Sequence, residues 1–368
     1  MYIREIELKD FRNYRELKVS FSRHVNIFLG NNAQGKTNLL EGIYLNAMAR
    51  SFKTTRDREM IRFGEDFCKI RTVSVTDDEE QTTEIVITKD GKKAIRLDGM
   101  KVCRTSQLLD RMYIIIFSPE DLKIVKDEPE KRRKFIDREL CQIKPGYYSD
   151  LSNYKKVLRQ RNTYLKETDI EPSVLDIWDF ELAKYGSKVI LKRKEFIDKI
   201  NTISSRIHEG ISGGKEKLEL KYEPNIDFTG NTEKDYYDLL VSERNDDIRN
   251  RTTGRGPHKD DLKISGNGAD LRKFGSQGQQ RTAALSLKLS EIRLIEEETG
   301  EKPVLLLDDV LSELDAHRQN YLLENISDIQ TMITCTGLDD FVNTRMHLDK
   351  VFYVEAGKIQ EYGIKKEP

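Results

Sequence analysis

The feature that most constrains this chain is a glycine-bearing loop, residues 30–37, that fits the pattern G-x-x-x-x-G-K-[ST]. Before the loop, apolar residues recur with the period of two that is typical of a strand, at Val25, Ile27 and Leu29. After it, apolar residues recur on one helical face between Leu39 and Met48. A strand, a glycine loop and a helix in this order predict an α/β fold with a phosphate-binding loop.

Each residue type in the loop has a physical role in holding phosphate. Glycines let the backbone turn its N–H groups toward phosphate oxygens, and the N-terminus of the following helix attracts an anion. Lys36 supplies a charge for the β and γ phosphates, and the Thr37 hydroxyl is a ligand for Mg²⁺. The predicted nucleotide-binding residues are Gly30, Asn31, Asn32, Ala33, Gln34, Gly35, Lys36 and Thr37. The alternative is an ordinary glycine-bearing surface turn.

A second motif supplies carboxylates. The apolar run Val-Leu-Leu-Leu at residues 304–307 reads as a buried strand and ends in Asp308 and Asp309. We expect Asp308 to hold Mg²⁺ and Asp309 to orient or deprotonate an attacking water. With Lys36 these are the predicted catalytic residues, and Thr37 with Asp308 are the predicted metal ligands. Alone, the run also fits a strand that ends in a solvated turn.

A third motif opens a long predicted helix. It consists of Ser276, Gln277, Gly278 and Gln279, where Ser276 is a natural N-cap and the small residues leave the helix start open to an anion. A second phosphate-facing helix start cannot easily reach the phosphates of its own chain's loop. We therefore expect it to meet a nucleotide bound by another copy of the chain, although an ordinary capped helix has the same pattern.

The rest of the pattern predicts a head with an insertion. Strands fill the first part, and the polar stretch from about 119 to 207 reads as an antiparallel helical hairpin with a break at 168–173. A helix of about 24 residues would be about 36 Å long, so we expect a short lid. The predicted domains are a discontinuous head, 1–118 with 251–368, and a mainly helical lid, 119–250. Farther along, we expect a helix at 232–250, a hairpin of 261–264 with 271–274, a helix at 277–298 and strands at 332–335 and 351–354.

Composition excludes several classes of protein. The 368 residues carry 63 Lys and Arg against 64 Asp and Glu, so the net charge of −1 argues against coating nucleic acid by bulk charge. Apolar runs are far shorter than the roughly 20 residues of a membrane span, and the N-terminus has no signal-peptide core. The four cysteines have no C-x-x-C spacing and read as free thiols of a reducing compartment. We expect a soluble cytoplasmic protein with no membrane partner.

Basic clusters would be the candidate contacts for any nucleic-acid partner, since phosphate contacts come from Lys and Arg. Any one of them also fits the solvated face of a helix. The candidates are Lys131, Arg132, Arg133, Lys134, Lys155, Lys156, Arg159, Arg161, Arg249, Arg251 and Arg255.

Taken together, these motifs resemble those of the ABC-type ATPases of the SMC-like group, and within it the RecF family of bacterial DNA repair and replication proteins. The loop, the Ser276 motif, the Asp308–Asp309 strand end and the segment 312–315 resemble the Walker A, signature, Walker B and D-loop elements. Segments 10–14, 118–122, 132–137, 256–262 and 274–282 are similar to the family's own sequences. The resemblance covers essentially the whole chain.

The resemblance implies an α/β fold, an ABC-type P-loop ATPase head with an inserted, mainly helical lid. It implies ATP and Mg²⁺ as cofactors, an ATP-dependent homodimer, slow ATP hydrolysis, and binding to double-stranded DNA and single–double strand junctions. It also implies work with RecR and RecO in placing RecA on gapped DNA in the SOS response. The alternative is another ABC- or SMC-like ATPase that does not act on DNA.

The sequence departs from the group's pattern at three places. ABC ATPases commonly have a glutamate where Asp309 stands, and the shorter side chain fits slow turnover. No Q-loop glutamine is evident at residues 116–119, and Cys335-Thr336-Gly337 occupies the place of the switch histidine. No residue is assigned to either role. A transporter ATPase, a small-molecule kinase and a long-armed SMC protein fit less well, because the chain combines a signature motif with a short polar lid.

Overall fold

The computed structural model describes residues 1–109, 111–227, 229–337 and 349–362 and divides the chain into two compact units. One unit is Met1–Leu122 with Glu291–Pro368, and the other is Lys123–Ser290. The predicted domain limits place residues 251–290 in the head, whereas strand pairing and packing join them to the second unit. The domain limits 1–118 with 251–368 and 119–250 therefore remain a prediction.

The strands of the described residues fall at the following positions along the chain. They are β1 Tyr2–Phe11, β2 Tyr14–Ser20, β3 Val25–Leu29, β4 Phe67–Thr76, β5 Glu79–Thr88, β6 Lys93–Leu97, β7 Met100–Val102, β8 Ile114–Phe117, β9 Leu218–Glu223, β10 Asp261–Gly266, β11 Ala269–Asp270, β12 Val304–Asp308, β13 Thr331–Cys335, β14 Lys350–Glu355 and β15 Lys358–Tyr362. The α-helices are α1 Lys36–Met48, α2 Pro129–Ile143, α3 Pro145–Tyr164, α4 Pro172–Ser212, α5 Thr232–Ser242, α6 Arg244–Asn250, α7 Leu271–Phe274, α8 Gln277–Thr299 and α9 Ala316–Asn325.

Two six-stranded sheets build the first unit. One is antiparallel, in the order β2-β1-β4-β5-β6-β7. The other has the order β15-β14-β3-β13-β12-β8 and is parallel except for β15. Because β3, β13 and β12 are parallel neighbours, their carboxyl ends meet at one edge of the sheet. Both the glycine loop and the Asp308–Asp309 pair leave the sheet at this edge.

Helix α1 packs against strands of both sheets, so it is buried nearly all round rather than on the single face that its apolar period predicts. Besides Lys36, two of its buried side chains are polar or charged. Glu41 pairs with the Arg12 guanidinium at 2.6 and 2.8 Å, and Asn46 donates to the Thr72 hydroxyl at 2.6 Å. The Glu41 carboxylate and the Asn46 amide nitrogen tolerate loss of water because they are hydrogen-bonded.

The second unit combines a helical hairpin with the small antiparallel sheet β11-β10-β9. Helices α3 and α4 pack against each other, as the sequence predicts. However, α4 is 41 residues long, about 61 Å, so the predicted length of about 24 residues is wrong. The apolar periodicity of the first turns of α4 is interrupted at Asp179, a fully buried carboxylate at a position where an apolar residue is expected. The sequence pattern therefore did not predict these turns. Helix α4 ends before Gly213, which adopts the left-handed conformation at φ 61°.

Two further expectations need correction. Residues 271–274 are not a strand but the short helix α7, because the Asp270 side chain accepts a hydrogen bond from the Arg272 N–H at 2.8 Å and caps a helical turn. The predicted helix at 232–250 is two helices that meet at Glu243. The hairpin turn itself is as expected, with Asn267 and Gly268 both at positive φ.

Within the described residues, every helix is too short or too polar to span a membrane, and this includes the 41-residue α4.

Candidate nucleotide site and signature helix

The glycine loop has the backbone that its sequence predicts. Gly30 and Gly35 have φ of 151° and 123°, which side chains other than glycine rarely adopt. A Cβ on Gly30 would lie 2.3 Å from the Val354 carbonyl oxygen, and one on Gly35 would lie 2.7 Å from Asn13 Nδ2. Close packing therefore requires glycine at both positions and fixes the curve of the loop.

Side chains and backbone from distant segments hold the loop in place. Asn13 donates from Nδ2 to the Gln34 carbonyl at 2.9 Å, and the buried Tyr14 hydroxyl donates to the Gly35 carbonyl at 3.0 Å. The Gln34 side chain accepts from the Ala356 N–H at 2.7 Å, and its carbonyl accepts from the Gly357 N–H at 3.1 Å. The loop is thus shaped in advance of any ligand, which lowers the entropy cost of binding one.

Lys36 lies across the loop rather than out in solvent. Its side chain is 6% exposed, and its ammonium donates to the carbonyls of Gly30 and, at 3.0 Å, Asn31. The ammonium therefore faces the concave side of the loop, where an anion would lie.

The carboxylate motif meets the loop at the sheet edge. The Thr37 hydroxyl donates to Asp308 Oδ1 at 2.8 Å, and the Thr334 hydroxyl donates to the same oxygen at 2.9 Å. The structure thus brings together the two predicted metal ligands, Thr37 and Asp308. The Asp309 N–H donates to Thr334 Oγ1 at 3.0 Å, and Asp309 has a positive φ of 54°, uncommon for a residue with a side chain.

The surroundings of Asp309 raise the pKa of its carboxyl. Partial burial raises the pKa of its carboxyl above the ordinary value, an effect that the nearby Lys36 ammonium opposes. The neighbouring carboxylates of Asp308 and Glu313 add to the rise in pKa. A raised pKa makes a carboxylate a better proton acceptor near neutral pH.

A cavity of about 160 Å³ lies over these groups. Its lining residues are Asn32, Ala33, Gly35, Lys36, Thr37, Asn38, Lys53, Asp309 and Thr334. Sequence reasoning missed three of these, Asn38, Lys53 and Thr334. Thr334 had a signal, because it is the residue before the last of β13 and lies opposite Asp308 in the parallel pair β12–β13. Lys53 had none; its ammonium donates to Asn38 Oδ1 at 3.1 Å.

The donor set suits Mg²⁺ more than a transition metal. Within residues 1–109, 111–227, 229–337 and 349–362, no cluster of three or more His, Cys, Asp or Glu side chains could hold a metal ion. A hydroxyl and one carboxylate at 2.8 Å from each other, Thr37 and Asp308, match the sparse protein ligation that Mg²⁺ has beside nucleotide phosphates.

The signature residues lie in the second unit, at the start of α8. Ser276 is an N-cap, as predicted. Its hydroxyl accepts from the Gln279 N–H at 3.2 Å, and the Gln279 side chain accepts in return from the Ser276 N–H at 2.9 Å. This reciprocal pair is a capping box. Ser276 and Gln277 are exposed, and the preceding Phe274 is 76% exposed, which is unusual for a phenylalanine.

Most of the basic candidates for DNA contact lie on the surface. The exposed ones are Lys131, Lys134, Lys155, Lys156, Arg159, Arg249 and Arg251. Lys134 is paired with the exposed Glu130 at 2.6 Å, and a surface pair of this kind exchanges readily with other anions. Lys155 is paired with the buried Asp137 at 3.4 Å.

The remaining basic candidates are used inside the molecule. Arg132 is 2% exposed and grips Asp261 with two hydrogen bonds of 2.7 and 2.9 Å, so its assignment to DNA contact is corrected. Arg161 is fully buried between Asp179 and Asp247, and the same correction applies. Two others are half-buried: Arg133 donates to a backbone carbonyl and Arg255 pairs with a carboxylate.

The segment 256–262 also has an internal role. Arg193, buried on α4, donates to the Pro257 carbonyl at 2.6 Å and pairs with Asp260 at 3.1 Å and Asp137 at 2.9 Å. Next to it, burial lowers the pKa of His258 to about 4, and the ring bonds to the Tyr154 hydroxyl at 2.6 Å. This closed network of charges joins α2, α4 and the segment before β10.

Comparison with known proteins places this geometry in a family. The profile of the RecF/RecN/SMC N-terminal domain family matches residues 2–360. A protein from Agathobacter rectalis named DNA replication and repair protein RecF is 50% identical over 363 residues, which cover 98% of this chain and 99% of that protein. A protein of the same name from Lachnospira eligens is 48% identical over 364 residues, with the same coverage.

Solved structures agree with the sequence comparison. One described as the recombination mediator protein RecF-ATP in the RecFOR pathway superimposes with a TM-score of 0.92 at 38% identity and covers 98% of each chain. The Smc head domain of Pyrococcus furiosus, with a TM-score of 0.58 at 17% identity over 99% of this chain and 97% of that one, shares the fold. The chain therefore has the α/β fold of ABC-type P-loop ATPase heads and belongs to the RecF family.

Proposed function

We propose that the chain is an ATP-driven dimer that binds DNA in replication and recombinational repair. The observation that carries the proposal is the pair of phosphate-facing motifs: a preformed loop with Lys36, and an exposed, capped helix start at Ser276. The names of its relatives, which describe DNA replication and repair and a recombination mediator with ATP, support the same role.

ATP binds with its phosphates along residues 30–37. The Lys36 ammonium exchanges its contacts with the Gly30 and Asn31 carbonyls for the β and γ phosphates, a stronger charge-assisted interaction. The cavity over the loop is small, about 160 Å³, so it suits a phosphate group and leaves the base outside.

Thr37 and Asp308 hold Mg²⁺, since their oxygens already lie 2.8 Å apart. The ion would neutralise phosphate charge as the γ-phosphoryl bond breaks. Thr334 keeps the Asp308 carboxylate oriented toward Thr37 by donating to the same oxygen.

Asp309 orients the attacking water and accepts its proton. Its raised pKa suits a proton acceptor, and its side chain is one methylene shorter than the glutamate common in ABC ATPases. Hydrolysis is therefore slow and acts as a switch that ends the ATP-bound state.

A second copy of the chain closes the site. Its Ser276 helix start meets the γ-phosphate, and the exposed Phe274 beside it is covered by the partner. Two identical contacts of this kind make a symmetric dimer. The interface forms only with ATP, because the loop of one copy and the Ser276 helix start of the other bind the same triphosphate.

DNA binds to the basic surface of the dimer. With a net charge of −1, the monomer binds DNA poorly, and dimerisation joins the exposed lysines and arginines of two copies. The substrates are duplex DNA and single–double strand junctions in the cytoplasm, where the dimer works with RecR, RecO and RecA on gapped DNA.

The test is a gel-shift assay on duplex, gapped and single-stranded DNA with ATP, ADP or no nucleotide, across salt. We expect binding to duplex and gapped DNA with ATP and much weaker binding without it. DNA binding that is absent or independent of ATP would contradict the proposal and favour an ABC- or SMC-like ATPase that does not act on DNA.

A further inference from the structure

A hydrogen-bonded chain connects the end of the long helix α4 to the signature motif. Helix α4 ends at Ser212, and four residues later Glu216 accepts a hydrogen bond on Oε1 from Gln279 Nε2 at 2.9 Å. The Glu216 backbone is itself tied to the helix end, because its N–H and carbonyl both bond to the Ser212 hydroxyl at 3.3 Å. Glu216 therefore cannot move far from α4 without breaking these contacts.

Glu216 acts on the part of Gln279 that shapes the helix start. The oxygen of the Gln279 amide accepts from the Ser276 N–H, and its nitrogen donates to Glu216. An amide with both ends engaged has one orientation, so the carboxylate selects the rotamer that completes the capping box. Without that acceptor, the Gln279 side chain loses the constraint that keeps its oxygen on Ser276.

A buried histidine holds Glu216 from the other side. His208, on the last turns of α4, has Nε2 3.3 Å from Glu216 Oε2 and Nδ1 3.1 Å from the Ser286 hydroxyl on α8. Its side chain is 1% exposed, whereas that of Glu216 is 25% exposed. Glu216 therefore links the end of α4 to the N-terminus of α8. His208 links α4 to the third turn of α8.

We propose that Glu216 is a positioning residue for ATP-dependent dimerisation, through which α4 sets the geometry of the signature helix start. The inference rests on the function proposed above, in which Ser276 meets the nucleotide of a second copy. Capping residues have known effects on helix starts, and here the cap is also the surface that the partner's phosphate must meet. Glu216 touches neither nucleotide nor Mg²⁺ in this account and acts only through Gln279.

The first experiment compares Glu216→Ala with the matched control Glu219→Ala, an exposed glutamate three residues along the same segment. The readouts are the nucleotide affinity of the full chain, its thermal unfolding, and its dimerisation by sedimentation velocity with ATP. We expect Glu216→Ala to dimerise at least 10-fold more weakly, with nucleotide affinity within 2-fold of the unmodified chain. Glu219→Ala should match the unmodified chain in all three measurements.

The second experiment exchanges the two partners. Gln279→Glu places two carboxylates in contact and should also weaken dimerisation, whereas Gln279→Glu combined with Glu216→Gln restores a donor opposite an acceptor. We expect the double variant to recover at least 3-fold of the dimerisation that Gln279→Glu loses. A pair that merely stabilised the fold would lose and regain thermal stability in step with dimerisation, whereas we expect the thermal unfolding of both variants to stay close to that of the unmodified chain.

The outcomes separate the two proposals. If the unmodified chain does not dimerise with ATP, the proposed function fails. If it does, and Glu216→Ala dimerises equally well, or loses nucleotide affinity and thermal stability together, or the exchanged pair gives no recovery, then the positioning role is overturned while the proposed function stands.

Discussion

Two charged, glycine-bearing segments of this chain look alike in sequence but have opposite environments. The loop at 30–37 presents the Lys36 ammonium to a cavity, and in the described part of the chain the ammonium donates only to backbone carbonyls. The segment at 256–262 pairs its Asp260 with the buried Arg193, which also pairs with Asp137 in the interior. The first has bonding capacity left for a ligand, and the second has used it. The comparison shows that a charged motif points to binding only where its charges are not already paired with each other.

The largest effect is expected where the closed network loses its cation. Arg193→Met leaves the buried carboxylates of Asp137 and Asp260 without the guanidinium that they share, so the free energy of unfolding should fall by about 3–5 kcal/mol. The neighbouring exposed Lys192→Met should change it by less than about 0.5 kcal/mol. Urea denaturation measures both. Equal effects of the two substitutions would break the distinction between closed and open charges.

The closed network should also respond to pH. Burial holds the pKa of His258 at about 4 in the folded chain, below the value of about 6.5 in the unfolded chain. The unfolded state therefore binds the proton first as pH falls, and stability declines between these two values. From pH 7 to pH 5, the chain should lose about 2 kcal/mol of unfolding free energy more than His258→Asn does. Parallel pH profiles of the two proteins would contradict the buried, neutral histidine.

The open site should lose function rather than stability. Lys36→Met removes the charge that faces the phosphates, so ATP affinity should fall by about 100-fold or more, equivalent to about 2.7 kcal/mol. The free energy of unfolding should change by less than about 1 kcal/mol, because the lysine contacts only two carbonyls. Isothermal titration and urea denaturation supply the two numbers, with the exposed Lys92→Met as control. A large loss of stability would show that the Lys36 charge is part of the fold's internal bonding, as the charge of Arg193 is, and is not left for a ligand.

The smallest effect is expected on the salt dependence of DNA binding, and it should distinguish exposed from buried basic residues on α2. Replacing the exposed Lys131 and Lys134 by alanine should lower the slope of log affinity for DNA against log salt concentration by up to about 2. Arg132→Ala should instead destabilise the fold, because it leaves Asp261 without its guanidinium partner. If Arg132→Ala kept full stability and changed the salt slope, the correction of its assignment would itself be wrong.

The head was predictable from sequence because its signals are local. The strand, the glycine loop and the helix from Val25 to Met48 lie within one short stretch, and each glycine has a backbone reason that the motif expresses. The two motifs predicted Thr37 and Asp308 as ligands of one ion, and the two side chains meet because parallel strands end at one sheet edge, although 271 residues separate them.

The second unit was predictable only in outline because its charges find distant partners. Nothing near Arg132 in the sequence distinguishes it from Lys131, since its partner Asp261 is 129 residues away. Asp179 likewise made the first turns of α4 look like a surface segment. It is buried in ion pairs with Arg161 and Arg244, which are distant in sequence. Sequence periodicity treats a charged residue as a surface residue, and it fails where two charges are buried together.

In the proposed function, dimerisation with ATP depends on the Ser276 helix start, which meets a nucleotide bound by a second copy of the chain. Sedimentation velocity of Ser276→Arg with ATP tests it directly, because the larger, charged side chain blocks the helix start without touching the loop at 30–37. We predict that this variant binds ATP as the unmodified chain does but remains a monomer where the unmodified chain becomes a dimer. A Ser276→Arg variant that dimerises with ATP like the unmodified chain would contradict the account.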